Sequence, residues 1–169
     1  MRLAGRRVVL GVTGGIACYK SCFLVRRLRE AGLEVEVVMT RGATKFVRPV
    51  TFEALSGRPV HTSLWTRGEA LAHVRLPDEA DLVIVAPATA HLIARAALGL
   101  AEDLLTSILL ARNGPVLIAP AMNDQMYAAP PTQAHVASLR ARGWNLVGPA
   151  TGALAEGDSE LPGRMSEPD

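Results

Sequence analysis

Short runs of β-branched residues alternate with longer helix-patterned stretches along this chain. That alternation restricts the fold more than any other feature. Residues 7–12 hold Val8, Val9, Leu10 and Val12, an almost unbroken apolar run. Residues 33–39, 82–86 and 115–119 repeat the pattern, and 144–147 carry a shorter version. Strands apolar at successive positions are buried on both faces, a property of parallel sheets covered by helices. Between them, residues 16–31 have helical spacing. Ile16, Tyr19, Phe23, Leu24 and Leu28 form the expected apolar face, Arg26, Arg27, Arg29 and Glu30 the polar face, and Gly32 the stop. Helices are also expected over 40–46, 49–55, 90–97, 103–112 and 131–142. Residues 57–67 are mixed, with an edge strand over 60–65. Beyond Gly148 both patterns stop, and Gly152, Gly157, Pro162, Gly163 and Pro168 predict a loop. The expected architecture is α/β: a single doubly wound, mostly parallel sheet with helices on both faces.

Composition narrows the function classes. With 169 residues, 49% hydrophobic and 20% charged, the chain has material for one core and is not intrinsically disordered. A net charge of +2 from scattered arginines makes no case for nucleic acid. No apolar run reaches the roughly 18 residues of a membrane span. The run behind the basic residues 1–7 is too short for a signal peptide. Cys18 and Cys22, four residues apart without a second Cys or His pair beside them, form neither a disulfide framework nor a zinc site. No metal is expected, and a reducing cytoplasm suits such a chain.

Thr13-Gly14-Gly15-Ile16 lies between the first strand and first helix. In doubly wound sheets ligands bind beyond the carboxyl ends of the strands. A helix N-terminus there presents free N–H groups to a phosphate, and glycine lets the backbone come close. The spacing is neither that of a dinucleotide fingerprint nor that of an NTPase P-loop. A plain strand-to-helix turn reads the same way. Thr40, after the second strand, either adds a hydroxyl to the anion or caps the next helix. Ala86-Pro87-Ala88-Thr89-Ala90 and Ala119-Pro120-Ala121-Met122-Asn123 follow the third and fourth strands at the same end of the sheet. Two such rigid ledges beside the glycine turn favour a mononucleotide site over three unrelated turns.

These segments carry a resemblance. Gly11-Val12-Thr13-Gly14-Gly15-Ile16-Ala17-Cys18-Tyr19-Lys20, Ala86-Pro87-Ala88-Thr89-Ala90, Gly99-Leu100-Ala101-Glu102-Asp103-Leu104-Leu105-Thr106, Pro120-Ala121-Met122-Asn123 with Met126, and Gly163-Arg164-Met165 with Glu167-Pro168 occur in the order seen in flavin-dependent cysteine decarboxylases. The chain resembles that family throughout. The resemblance implies a Rossmann-like flavoprotein fold that binds FMN. It implies a decarboxylase domain over 1–150 and a C-terminal active-site loop of the same domain over 151–169. By position it assigns Thr13, Gly14, Gly15, Ile16, Thr40, Phe46, Pro87, Ala88, Thr89, Ala90, Thr106, Ala121 and Met122 to the cofactor. His73, in His73-Val74-Arg75-Leu76, matches the family's catalytic histidine. Asn123 matches the residue that holds the cysteine-derived part of the substrate, under a flap formed by residues 124–132. Without the resemblance, His73 reads as a lone loop histidine and Asn123 as a turn cap. In the family, FMN oxidises the cysteine thiol to a thioaldehyde, and CO₂ then leaves behind a stabilised ene-thiolate. The members most similar to this chain act on 4′-phosphopantothenoylcysteine, giving 4′-phosphopantetheine for coenzyme A. They are cytoplasmic trimers or dodecamers whose histidine comes from a neighbouring subunit.

The chain departs from that pattern at one telling place. Where the family has Leu-Ala-Cys-Gly, with the cysteine donating the last proton, this chain has Leu154-Ala155-Glu156-Gly157. Three readings follow. Glu156 supplies the proton; or the reaction stops at an ene-thiol, as in decarboxylases of peptide C-terminal cysteines; or the chain is a catalytically impaired FMN-binding or regulatory protein. His91, Leu92, Leu98 and Tyr127 also replace the family's Asn, Thr, Asn and Trp. His61, His91 and His135 lack a motif context and read as surface or helix residues. The chain stops where family members continue into a further helix, and no ligase domain is expected within it.

Overall fold

A computed structural model describes residues 3–169; the basic positions Met1 and Arg2 lie outside the described residues. Five strands form a parallel sheet: β1 (Arg7–Val12), β2 (Glu34–Met39), β3 (Leu82–Ala88), β4 (Val116–Pro120) and β5 (Asn145–Leu146), in the order β2-β1-β3-β4-β5. Helices α1 (Cys18–Glu30) and α2 (Pro49–Ser56) follow β1 and β2; α3 (Ala72–Glu79) precedes β3. Helices α4 (Ala90–Leu98) and α5 (Leu104–Ala111) join β3 to β4, and α6 (Asp124–Ala128) and α7 (Pro130–Ala141) join β4 to β5. A hairpin of β6 (Ala150–Leu154) and β7 (Gly157–Arg164) follows. The fold is the expected doubly wound one.

The continuous apolar runs are explained by burial on both faces. Val9, Val83, Val85, Val116 and Ile118 point to one side, against Leu76, Leu92, Ile93, Leu105, Ile108, Val136 and Leu139 of α3, α4, α5 and α7. Val8, Leu10, Val12, Val35, Val37 and Ile84 point to the other, against Cys18 and Val25 of α1 and Phe52 of α2. A Cβ on Gly11 would lie 2.5 Å from Leu105 Cδ1, so glycine lets α5 pack directly onto the β1 backbone.

Several local expectations are corrected. The buried face of α1 is Cys18, Lys20, Ser21 and Val25, while Ile16, Tyr19 and Phe23 are exposed. The helix docks through small side chains: Ser21 Oγ donates to the Ala86 carbonyl at 2.6 Å, and Cys18 Sγ to that of Thr13. The expected helix over 40–46 is only a 3-10 turn, Ala43–Lys45. The expected edge strand over 60–65 reduces to a single parallel bridge between Val38 and His61. His73 lies on α3, not in a loop. The expected terminal loop is the β6–β7 hairpin, whose two strands satisfy each other's backbone groups without an alternating apolar pattern.

Candidate active site

After β1 the chain runs out to β2 at the sheet edge and returns to β3 on the other side of β1, leaving a crevice where these strands end. A cavity of about 760 Å³ fills it, within the usual size of a cofactor site. Thr13, Gly14, Gly15, Ile16, Thr40, Thr89, Ala90, Ala121, Met122, Asn123 and Glu156 all line it.

Hydrogen bonds between loops set this end of the crevice. Thr13 Oγ1 donates to the Pro87 carbonyl and accepts from Thr89 N at 3.1 Å, joining the ends of β1 and β3. Thr89 Oγ1 then caps α4 by accepting from Leu92 N. Among the described residues, none accepts a hydrogen bond from the N–H groups of Gly14, Gly15 or Ile16. A Cβ on Gly14 would stand 2.8 Å from the Gly42 carbonyl carbon, so these two loops meet backbone to backbone. Thr40 Oγ1 accepts from Ala43 N at 3.3 Å, but the N-cap of the 3-10 turn is Gly42, without a side-chain cap, and Thr40 also lines the cavity.

At the opposite side Asn123 has a defined orientation. Its Oδ1 accepts from Gln125 N at 2.9 Å and Met126 N at 3.3 Å, capping α6. That turns Nδ2 toward the hairpin, where it donates to Glu156 Oε1. The hairpin lies along this segment: Met122 N donates to the Gly163 carbonyl at 3.0 Å, and Ser159 Oγ bonds Asp124.

Five expected site residues stand away from this cavity. Pro87 and Ala88 belong to β3, Ala88 being buried; Pro87 contributes through its carbonyl to Thr13. Phe46 is half exposed and lines none of it. Thr106 is buried in the capping box of α5, exchanging hydrogen bonds with Asp103. His73 also lies outside the cavity, and its Nδ1 is buried without a hydrogen-bond partner.

Other residues that the sequence did not assign to the site line the cavity: Arg41, Lys20, His91, Arg95, Asp103 and Arg164. His91 is therefore at the site. Arg41 makes no salt bridge among the described residues, so its guanidinium is available to an anion. Arg95 bonds Asp103 at 2.7 Å. Burial raises the Asp103 carboxyl, but Arg95 and the Thr106 N–H and hydroxyl outweigh it and hold Asp103 below the usual carboxylate range. His61, read as a surface or helix residue, is buried on the β2 edge: Nε2 meets Glu36 at 2.9 Å and Nδ1 meets Glu69 at 2.8 Å. Nothing in its own neighbourhood signalled this, because its partners lie 25 and 8 positions away. Burial raises both thiols, and neither Cys18 nor Cys22 lines the cavity. Among the described residues no helix is long and apolar enough to cross a membrane.

Fold and crevice together define a doubly wound α/β protein with an anion-receptive site at its topological switch point. The chain matches the Flavoprotein family over residues 2–169, and it belongs to that family. It is 51% identical over 168 residues to the coenzyme A biosynthesis bifunctional protein CoaBC of Vibrio vulnificus strain YJ016, a match covering 98% of this chain and 42% of that protein. To the CoaBC of Mycolicibacterium smegmatis it is 53% identical over 164 residues, covering 97% and 39%. The chain thus spans about two fifths of the length of these curated relatives. Among solved structures it is similar to a PPC decarboxylase variant complexed with pantothenoylaminoethenethiol, with a TM-score of 0.85 and 31% identity over 97% of this chain and 92% of that one. It is also similar to the FMN-dependent cysteine decarboxylase SpaF, with a TM-score of 0.82 and 36% identity over 86% and 85% of the two chains. The FMN-binding protein AtHal3 gives 0.82 and 30% over 96% and 90%.

Proposed function

We propose that this chain is a carboxy-lyase: an FMN-dependent decarboxylase that converts 4′-phosphopantothenoylcysteine to 4′-phosphopantetheine in coenzyme A synthesis. The observation that carries the reading is the pairing of two receptors in one crevice. Unbonded N–H groups at Gly14, Gly15 and Ile16 stand at one side, and the amide of Asn123, oriented by its own backbone contacts, at the other. The first suits the FMN phosphate, helped by Arg41; the second suits a carboxylate. CoaBC relatives and PPC decarboxylase support the same substrate.

The residues fit the cofactor. The N–H groups of residues 14–16 have no hydrogen-bond acceptor among the described residues, and the cavity volume accommodates a flavin mononucleotide. Bound there, FMN supplies a two-electron acceptor for the substrate thiol, which gives the neighbouring carboxyl-bearing carbon a sulfur-stabilised route to CO₂ loss. Thr89, Ala90, Ala121 and Met122, which line the cavity, would hold the flavin ring. Asn123 Nδ2, its amide fixed by the α6 cap, orients the substrate carboxylate at the cavity.

His73 acts on the cavity of a neighbouring copy in a trimer or dodecamer. Exposed Leu71 and Val74 beside its half-buried ring support a surface completed by self-association. The unpaired thiols Cys18 and Cys22 suit a cytoplasmic, reducing setting.

A second reading rests on Glu156 and on the absence of a thiol from the cavity lining: turnover ends at the ene-thiol. One experiment tests both. Purified, FMN-loaded protein is mixed with 4′-phosphopantothenoylcysteine and the product weighed. Loss of CO₂ alone is expected for the full reaction, and loss of CO₂ plus two hydrogens for the ene-thiol. Unchanged substrate overturns both readings and leaves only an FMN-binding role.

A further inference from the structure

Glu156 sits at the tip of the β6–β7 hairpin and accepts a hydrogen bond from Asn123 Nδ2, the donor that the proposed function gives to the substrate's carboxylate. The opposite end of that amide is already committed, because Oδ1 takes both Gln125 N and Met126 N. The amide cannot turn over without losing two hydrogen bonds, so Nδ2 is the group it shows to the cavity. What occupies this group is a carboxylate from the chain itself.

The hairpin is anchored unevenly. At its base, Gly163 is pressed against the Met122–Asp124 segment so closely that a Cβ there would lie 2.6 Å from the Met122 carbonyl. Met165, two residues on, is buried in the core. At the tip, the Asn123–Glu156 contact is the only side-chain hydrogen bond that residues 155–157 make among the described residues. The backbone ladder closes at Leu154–Gly157, and a Cβ on Gly157 would meet nothing within 4 Å, so the two-residue turn stands in the open. Breaking the Asn123 contact frees the Glu156 side chain while the strands stay paired.

We propose that Glu156 is a built-in competitor for the substrate carboxylate. Its own carboxylate holds the Asn123 donor and leaves when a carboxylate-bearing ligand arrives, since two anions on one amide repel each other. Once the ligand has lost CO₂ it has no claim on the donor, and Glu156 returns. The residue therefore weakens binding of the carboxylated ligand and leaves the decarboxylated one untouched, which makes it a determinant of substrate-over-product exchange. The inference rests on the decarboxylase reading for the identity of the ligand.

Calorimetric titration of the FMN-loaded protein tests it with two unreactive probes. One is 4′-phosphopantothenoylserine, which keeps the carboxylate and has no oxidisable thiol; the other is its counterpart lacking the carboxylate. In Glu156→Ala the first probe binds about three- to tenfold more tightly, the span expected for release of one net hydrogen bond at a solvated site. The second changes less than about twofold. Glu156→Gln, which keeps the acceptor and removes the charge, falls between. An equal change for both probes, or none for either, overturns the competitor role while leaving the decarboxylase reading in place. Failure of both probes to bind any form overturns that reading together with the role built on it.

Discussion

Lys20 Nζ donates to the carbonyl of Met165 at 2.7 Å, joining the first helix to a residue 145 positions away. The amine is buried and its second partner is Glu167, at 2.8 Å. A single lysine thereby ties the base of the C-terminal hairpin to the helix that opens the crevice. Replacing Lys20 by Met keeps the stem and strands the buried carbonyl. The expected loss is about 1–3 kcal/mol in urea unfolding, with faster proteolysis between residues 150 and 164. Wild-type stability in this variant refutes the tie.

His61, buried between Glu36 and Glu69, predicts a pH dependence. Its hydrogen bond with Glu36 raises its pKa; burial opposes, and Glu69 adds to the rise. A raised pKa means stability fully present below the ordinary value of 6.5 and lost as pH climbs through the folded value. Glu36 shifts down, chiefly through His61, against burial and with help from Arg58 and Arg75; its contribution exists above 4.5 and is lost as pH falls through the lowered value. His61→Gln is therefore expected to cost about 1–3 kcal/mol near pH 5.5 and clearly less near pH 8.5. A pH-independent deficit in paired unfolding curves contradicts this.

Gly14→Ala places a Cβ 2.8 Å from the Gly42 backbone, where neither chain segment has a flexible side chain to yield. The two loops must separate, and the N–H groups of residues 14–16 move with them. FMN affinity is expected to fall about five- to 150-fold, the equivalent of the 1–3 kcal/mol of overpacking. Fluorescence titration with FMN measures it.

Placing His73 at a neighbour's cavity predicts complementation. His73→Asn and Asn123→Ala each lower turnover by about a hundredfold or more. Mixed and reassembled at equal amounts, they form some contacts that contain both native side chains, about a quarter if subunits combine at random and each site is shared by two. Activity near that fraction is the expected result. No recovery places His73 and Asn123 in the same chain's site.

The sheet was legible because both faces of each central strand are buried, so residues such as Val8, Val9 and Leu10 form runs that need no knowledge of their partners. The first helix was legible in extent but only partly in orientation. Leu24 and Leu28 of its expected apolar face pack against the core, whereas Ile16, Tyr19 and Phe23 face outward and Ser21 reaches the Ala86 carbonyl. Small polar side chains permit closer approach to a strand end than large apolar ones, which the periodicity of hydrophobicity alone does not register. The hairpin was invisible for a related reason: β6 and β7 satisfy each other and bury little, so no alternating pattern marks them.

By itself the sequence determined the doubly wound sheet, the end of it where the cavity lies, and Gly14, Gly15, Thr89 and Asn123 as residues of that end. These follow from local facts: strand runs, glycine at the first turn, prolines at the next two. Only the tertiary structure decided which side chains meet. It set Glu156 on Asn123 across 33 positions, placed His61 between two carboxylates, brought Lys20 to Met165, and left His73 outside its own chain's cavity. Such contacts depend on how loops fold back across the sheet. Charge and hydrogen-bond complementarity over long separations leave no periodic trace along the chain.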